Sequence, residues 1–111
     1  MKRAELWTIR SSGYASKARP VLVLQNDLRE DFDSVVLCLL TSYDRGKVDT
    51  HVKIDPTPEN GLHKTSYVMT EKLITTPKSE LGSCIGCLTV EQMHAVSHAL
   101  AQVLEIRPED L

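Results

Sequence analysis

The chain's architecture turns on Arg19-Pro20-Val21-Leu22-Val23-Leu24, closed by Gln25-Asn26-Asp27. Pro20 has no backbone N–H, so it suits the first residue of a strand, and its ring drives Arg19 into an extended conformation. Arg19 is thereby set at a strand entrance. After a charged turn over residues 26–33, Ser34-Val35-Val36-Leu37-Cys38-Leu39-Leu40 follows with apolar residues on both faces. A strand of that kind belongs in the middle of a barrel or against a partner. Thr41-Ser42-Tyr43 closes it with hydroxyls.

Outward from this pair, Glu5-Leu6-Trp7-Thr8-Ile9 alternates as a half-buried strand, and residues 11–17 read as a loop by composition. Residues 44–49 predict a polar hairpin loop around Gly46, and 50–55 a surface strand ending at Pro56. Pro56-Thr57-Pro58-Glu59-Asn60-Gly61 is the plainest turn. A further strand is predicted over 66–74, then one short helical turn near 77–81. The last element is a helix, with Thr89 as N-cap and Gln92 completing a capping box. Met93, Val96, Leu100, Val103 and Leu104 form its apolar stripe, and Pro108 stops it. Five or six strands with one terminal amphipathic helix predict a mainly β, α+β domain spanning 1–111: a small, strongly bent β-barrel or sandwich carrying the helix.

With 111 residues, 41% hydrophobic and 25% charged, the chain has room for one domain and the composition of a folded one. The longest apolar run, 35–40, is far short of the ~20 residues that cross a bilayer. Met1-Lys2-Arg3 begins like a signal peptide, but Glu5 and Arg10 break up the segment where a secretory apolar stretch would lie, so the expected location is cytoplasmic. Cys38, Cys84 and Cys87 are an odd set, which favours reduced thiols. The net charge of −2 conceals an asymmetry. Residues 1–19 carry Lys2, Arg3, Arg10, Lys17 and Arg19 against Glu5, whereas 80–111 carry Arg107 against Glu80, Glu91, Glu105, Glu109 and Asp110. A local basic site is compatible with that division, and so are two solvated ends.

Several constellations carry little chemistry. His94 and His98 share i, i+4 spacing, but two ligands do not hold zinc, and no metal site is expected. Cys84-Ile85-Gly86-Cys87 has redox-motif spacing without the βαβ context of a thioredoxin-type site. No glycine-rich phosphate loop occurs, so no nucleotide cofactor is expected. There remain Lys17-Ala18-Arg19-Pro20 at the mouth of one strand and Thr41-Ser42 at the end of the next long one. In a meander these ends can share one sheet edge, placing a guanidinium beside two hydroxyls, the composition that holds a phosphodiester. The alternative is an Arg19 paired with Asp27 or Glu71 and a Thr41 that merely closes a strand.

Taken whole, Arg19-Pro20-Val21-Leu22-Val23-Leu24-Gln25-Asn26-Asp27 resembles the R-P-V-L-V-x-x-N-D segment of the MazF/PemK family of bacterial toxins. Four further stretches agree in order: Lys2-Arg3-Ala4-Glu5-Leu6-Trp7, Leu39-Leu40-Thr41-Ser42, Asn60-Gly61-Leu62 before Ser66, and 81–88 leading into the helix. The resemblance implies an SH3-like barrel of the MazF/PemK/CcdB type with a C-terminal helix, usually a homodimer. It implies a sequence-selective, metal-independent endoribonuclease on single-stranded mRNA that leaves a 2′,3′-cyclic phosphate. It also implies a cognate antitoxin whose acidic tail occupies the RNA groove. Arg19 and Thr41 match the family's catalytic Arg and Thr, and Glu71 falls where some members place an acidic residue, making it the implied base.

The chain also departs from the family. Residues 11–18 form a shorter first loop without Glu or Gln before Arg19, and Ile74 replaces a frequent Arg. Arg10, Lys17 and Lys72 can compensate electrostatically, beside Ser42 as an RNA contact. The alternative function on the same barrel is a noncatalytic poison or binding module of the gyrase-targeting CcdB kind. Those relatives end in a Trp-containing segment, whereas this chain ends Arg107-Pro108-Glu109-Asp110-Leu111 and has its one tryptophan at Trp7.

Overall fold

Strands β2 (Arg19–Val23) and β3 (Ser34–Thr41) lie side by side and antiparallel, with Val21 opposite Leu39 and Val23 opposite Leu37. The computed structural model describes residues 1–10, 19–27, 31–44 and 46–111; the loop predicted over 11–17, Lys17 included, lies outside the described residues. Among these, six strands form one antiparallel sheet. β1 is Glu5–Ile9, β4 is His51–Ile54, β5 is Ser66–Pro77 and β6 is Leu81–Cys87, in the order β4-β5-β3-β2-β1-β6.

Alternation along the central strands sends side chains into two separate clusters. Leu22, Cys38 and Leu40 join Leu6, Ile54 and Val68 beneath the helix, while Val21, Val23, Val35 and Leu37 meet Ile9 and Leu81 on the other side. Leu6, Leu22 and Leu37 are wholly buried. Fully burying one such side chain is worth about 1.5–3 kcal/mol. The chain itself covers most of β3, with Val36 left exposed and Leu39 half-buried.

The helix α1 (Val90–Leu104) packs on β4 and β5 through Met93, Val96 and Ala99. Its capping box forms as the sequence predicts: Thr89 Oγ1 accepts from the Gln92 N–H at 3.1 Å, and Gln92 Oε1 accepts from the Thr89 N–H at 2.9 Å. The far end differs. The helix stops at Leu104, where Glu105 takes a left-handed conformation at φ 54°, before Pro108 is reached. Val103 and Leu104 are exposed rather than part of the buried stripe.

Two features of the sheet were not legible in the sequence. β6, with two glycines and a serine among its seven residues, has poor strand propensity and is held by its pairing with β1. The ladder also stays open, with β4 and β6 as its edges. It curls until the end of β6 meets the turn after β4, where the Cys87 N–H donates to the Glu59 carbonyl at 3.0 Å. At Gly86 a Cβ would stand 2.3 Å from that carbonyl oxygen, so the approach requires glycine. The result is a barrel-like curl closed by a turn instead of by a strand pair.

Candidate active site

Continuing the β2–β3 register two residues beyond the Val21–Leu39 pair brings Arg19 level with Thr41. Both line a cavity of about 510 Å³ at this end of the sheet. Ser42 lines it too, as do Thr8 from β1, Ser66 from β5, Ile85 from β6 and residues 61–64 of the loop between β4 and β5. Among the described lining residues are one guanidinium, one ammonium group and one imidazole, with four hydroxyls and no carboxylate. Such a lining favours an anion rich in acceptor oxygens.

The hydroxyl of Thr41 has a defined polarity. Its Oγ1 accepts from the Tyr43 N–H at 3.1 Å, which leaves the hydroxyl hydrogen to be donated. Thr8 is arranged in the same way, its Oγ1 accepting from the Ser83 N–H at 2.9 Å.

The loop bearing His63 and Lys64 is pinned from three sides. Asn60 is buried, and its Oδ1 accepts from the N–H groups of Thr57 and Leu62, each at 3.0 Å, while Nδ2 donates to the Asp55 carbonyl at 2.9 Å. Gly61 takes φ +68° and presses on β6, where a Cβ would stand 2.0 Å from the Ile85 carbonyl oxygen. Leu62 anchors in the core beneath the helix, and Ser66 Oγ donates to the Lys64 carbonyl at 3.0 Å.

The remaining sequence-derived candidates lie elsewhere. Arg10 follows the Ile9–Arg19 pair and its N–H donates to the Glu80 carbonyl at 2.7 Å, but it does not line the cavity. Glu71 and Lys72 do not line it either. Thr41 is paired with Tyr67, and Glu71 lies farther along β5, past the Leu39–Met69 pair. Between Cys38–Leu73 and Leu39–Met69 the β3–β5 ladder breaks, leaving 70–72 bulged. There Glu71 Oε1 meets His51 Nε2 at 2.8 Å. Partial burial pushes the Glu71 carboxyl upward, but a backbone hydrogen bond, His51 and Lys72 outweigh it and hold the group below the usual carboxylate range. Within one chain the implied base is therefore an ion-pair partner of His51, away from Arg19 and Thr41.

A family model described as PemK-like, MazF-like toxin of type II toxin-antitoxin system matches residues 2–104. This chain belongs to that family. A probable endoribonuclease MazF of Mycolicibacterium smegmatis is 34% identical over 107 residues, 96% of this chain and 98% of that protein. The endoribonuclease EndoA of Bacillus subtilis is 34% identical over 84 residues, 74% of this chain and 72% of its own length. A solved mycobacterial endoribonuclease in complex with its cognate antitoxin superposes with a TM-score of 0.80 at 29% identity, covering 96% of this chain and 97% of that one. The MazF-like family thus accounts for the bent sheet and its terminal helix. Sequence reasoning missed Thr8, His63, Lys64 and Ser66 as cavity residues. The Asn60-Gly61 turn was the available signal, since a glycine-dependent turn beside a strand end places the next residues at the sheet's rim.

Proposed function

We propose that the cavity is the active site of a sequence-selective endoribonuclease toxin that cuts single-stranded mRNA without a metal ion. The observation that carries this reading is the placement of Arg19 and Thr41 at adjoining strand ends, in one carboxylate-free cavity, in a MazF-like chain. RNA carries its own nucleophile. The 2′-oxygen attacks the adjacent phosphorus, the P–O5′ bond breaks, and the products are a 2′,3′-cyclic phosphate and a 5′-hydroxyl. The protein must align the attack, stabilise the charge that builds on the phosphorane and manage two protons.

Arg19 presents two N–H groups to the nonbridging oxygens, where negative charge grows most at the transition state. Thr41 donates its hydroxyl hydrogen to one of the same oxygens, and Ser42 offers a second hydroxyl. Lys64 adds positive charge at the mouth, and Arg10 extends it along the rim. Lys17 and Lys72 contribute to the longer-range attraction of the RNA backbone. Glu71 is assigned no proton transfer within its own chain.

The same lining suits the carboxylates of an acidic antitoxin segment, which would neutralise the toxin by occupying the phosphate's place. The protein acts as one toxin domain over 1–111, as a homodimer and in the cytoplasm; among the described residues no helix is long and apolar enough to cross a membrane. The endoribonuclease relatives favour RNA cleavage over the gyrase-poison alternative, and Trp7 sits in β1 with Nε1 donating to Glu5 Oε1 at 3.1 Å. The test is incubation of the purified protein with a long RNA in EDTA, mapping of cuts by primer extension and analysis of the new termini. Discrete cuts ending in 2′,3′-cyclic phosphate are expected; intact RNA, or 3′-hydroxyl ends, would refute the reading.

A further inference from the structure

We propose that His63 is the proton acceptor for the attacking 2′-hydroxyl. This rests on the endoribonuclease reading and supplies the group that reading lacks. Glu71 is engaged by His51 in the bulge of β5, and the described cavity lining holds no carboxylate. Arginine and lysine ordinarily arrive at neutral pH with their protons in place, so Arg19 and Lys64 are poor acceptors. Serine and threonine hydroxyls are poorer still. Imidazole is the side chain whose ordinary titration lies between pH 5 and 8, and His63 brings one into the same cavity as Arg19 and Thr41.

Position supports the assignment as much as chemistry. A general base must hold its place to a fraction of an ångström, and loops do so only when their backbone is tied down. The backbone at His63 follows three fixed points in succession: buried Asn60 with its hydrogen bonds, Gly61 against the Ile85 carbonyl, and Leu62 in the core. On the far side, Thr65 Oγ1 donates to Asp55 Oδ1 at 3.1 Å and Ser66 Oγ to the Lys64 carbonyl. This tethering is out of proportion for a surface loop with no task. His63 itself is exposed and carries no core packing, so its replacement spares the fold.

In the step, the 2′-hydroxyl proton passes to a ring nitrogen of His63 as the O2′–P bond forms. The P–O5′ bond breaks, and the departing 5′-oxygen takes a proton from water. The hydroxide left behind removes the added proton from the imidazolium, restoring the enzyme. Among the described residues, the other charged side chains lining the cavity are Arg19 from β2 and Lys64 from the same loop; β1, β5, β6 and the end of β3 contribute only Thr8, Leu40, Thr41, Ser42, Ser66 and Ile85.

The test uses the full chain and a short RNA spanning one mapped cut, with wild type, His63→Gln and His63→Ala compared across pH. In wild type, kcat/KM should climb with pH through the imidazole range. His63→Gln should cut about 10²-fold or more slowly at neutral pH and lose that limb, with kcat falling more than KM rises. A substrate with sulfur in place of the 5′-bridging oxygen has a leaving group that needs no proton. The deficit of His63→Gln should persist on it. Wild type that cuts, beside a His63→Gln that cuts within about threefold with the same pH profile, overturns the assignment. So does a deficit that vanishes on the sulfur substrate, which would make His63 an acid. Wild type that cuts no RNA removes the endoribonuclease reading, and this one with it.

Discussion

Arg19 and Thr41 lie two residues beyond the Val21–Leu39 pair on neighbouring antiparallel strands, and they open on the same cavity. Their separation in sequence is 22 residues, yet the strand register alone makes them neighbours.

If this pair holds the reacting phosphate, Arg19→Ala and Arg19→Lys should both lower single-turnover cleavage by about 10²- to 10³-fold, because a lysine cannot supply the two-pronged contact. Thr41→Val, which keeps the shape and removes the donor, should fall by about 10²-fold. Cleavage by Arg19→Ala at the parent's rate would remove Arg19 from the chemistry.

Gly61→Ala should be strongly destabilising, by more than about 2 kcal/mol, since φ +68° and a Cβ 2.0 Å from the Ile85 carbonyl oxygen both forbid a side chain there. Asn60→Ala should cost about 2–3 kcal/mol by stranding the buried Leu62 N–H and the Asp55 carbonyl. Urea unfolding measures both. A Gly61→Ala protein as stable as the parent would show that the loop does not press on β6.

Cys38 should resist alkylation in the folded protein. Burial above all, with the Glu71 charge adding, pushes its thiol up to about 12, and Sγ donates to the Met69 carbonyl at 2.9 Å. Cys84 and Cys87 are exposed. A chromogenic disulfide reagent should therefore titrate two thiols quickly and the third only in denaturant; three equal fast reactions would contradict the packing beneath the helix.

Glu71 sets part of the acid sensitivity. Its carboxyl lies below the usual carboxylate range in the folded protein, so the stabilisation it provides is present above its unfolded pKa and is lost as pH falls through the folded value. Glu71→Gln should be less stable than the parent near neutral pH, with the gap closing under acid conditions where both carry an uncharged side chain. The gap is modest, because the Glu71 side chain is 41% exposed. Denaturant midpoints measured down the pH scale give the comparison, and a gap that widens in acid would reverse the sign.

RNA affinity should fall steeply with salt. For single strands the logarithmic slope is about −0.7 per phosphate neutralised, so Lys64→Ala should flatten it by roughly that amount while leaving the preferred cleavage word unchanged. An unchanged slope would take Lys64 off the RNA path.

The legible features were those written in local pattern. Pro20 marked the entrance of β2, the apolar run 35–40 marked the central strand, and Thr89 with Gln92 marked the helix start, because each depends on residues a few positions apart. Arg19, Thr41 and Ser42 could be proposed as one site because a meander brings alternate strand ends together. The placement of Glu71 within the chain was not legible for the opposite reason: it depends on a bulge at 70–72, and a bulge is a property of two strands in register. β6 escaped notice because glycine and serine suit a strand there only where β1 and the 57–61 turn crowd against it.

The amino-acid order by itself determined the element types except β6, the alternating core and the basic, hydroxyl-bearing strand ends, since propensity, periodicity and capping act within a few residues. Tertiary structure alone decided which side chains share the cavity. It turned Glu71 toward His51, brought β6 against the turn after β4, and set His63 on a pinned loop beside Arg19. Those outcomes depend on long-range register and on close backbone approaches at Gly61 and Gly86, and such contacts exist only once the sheet has curled.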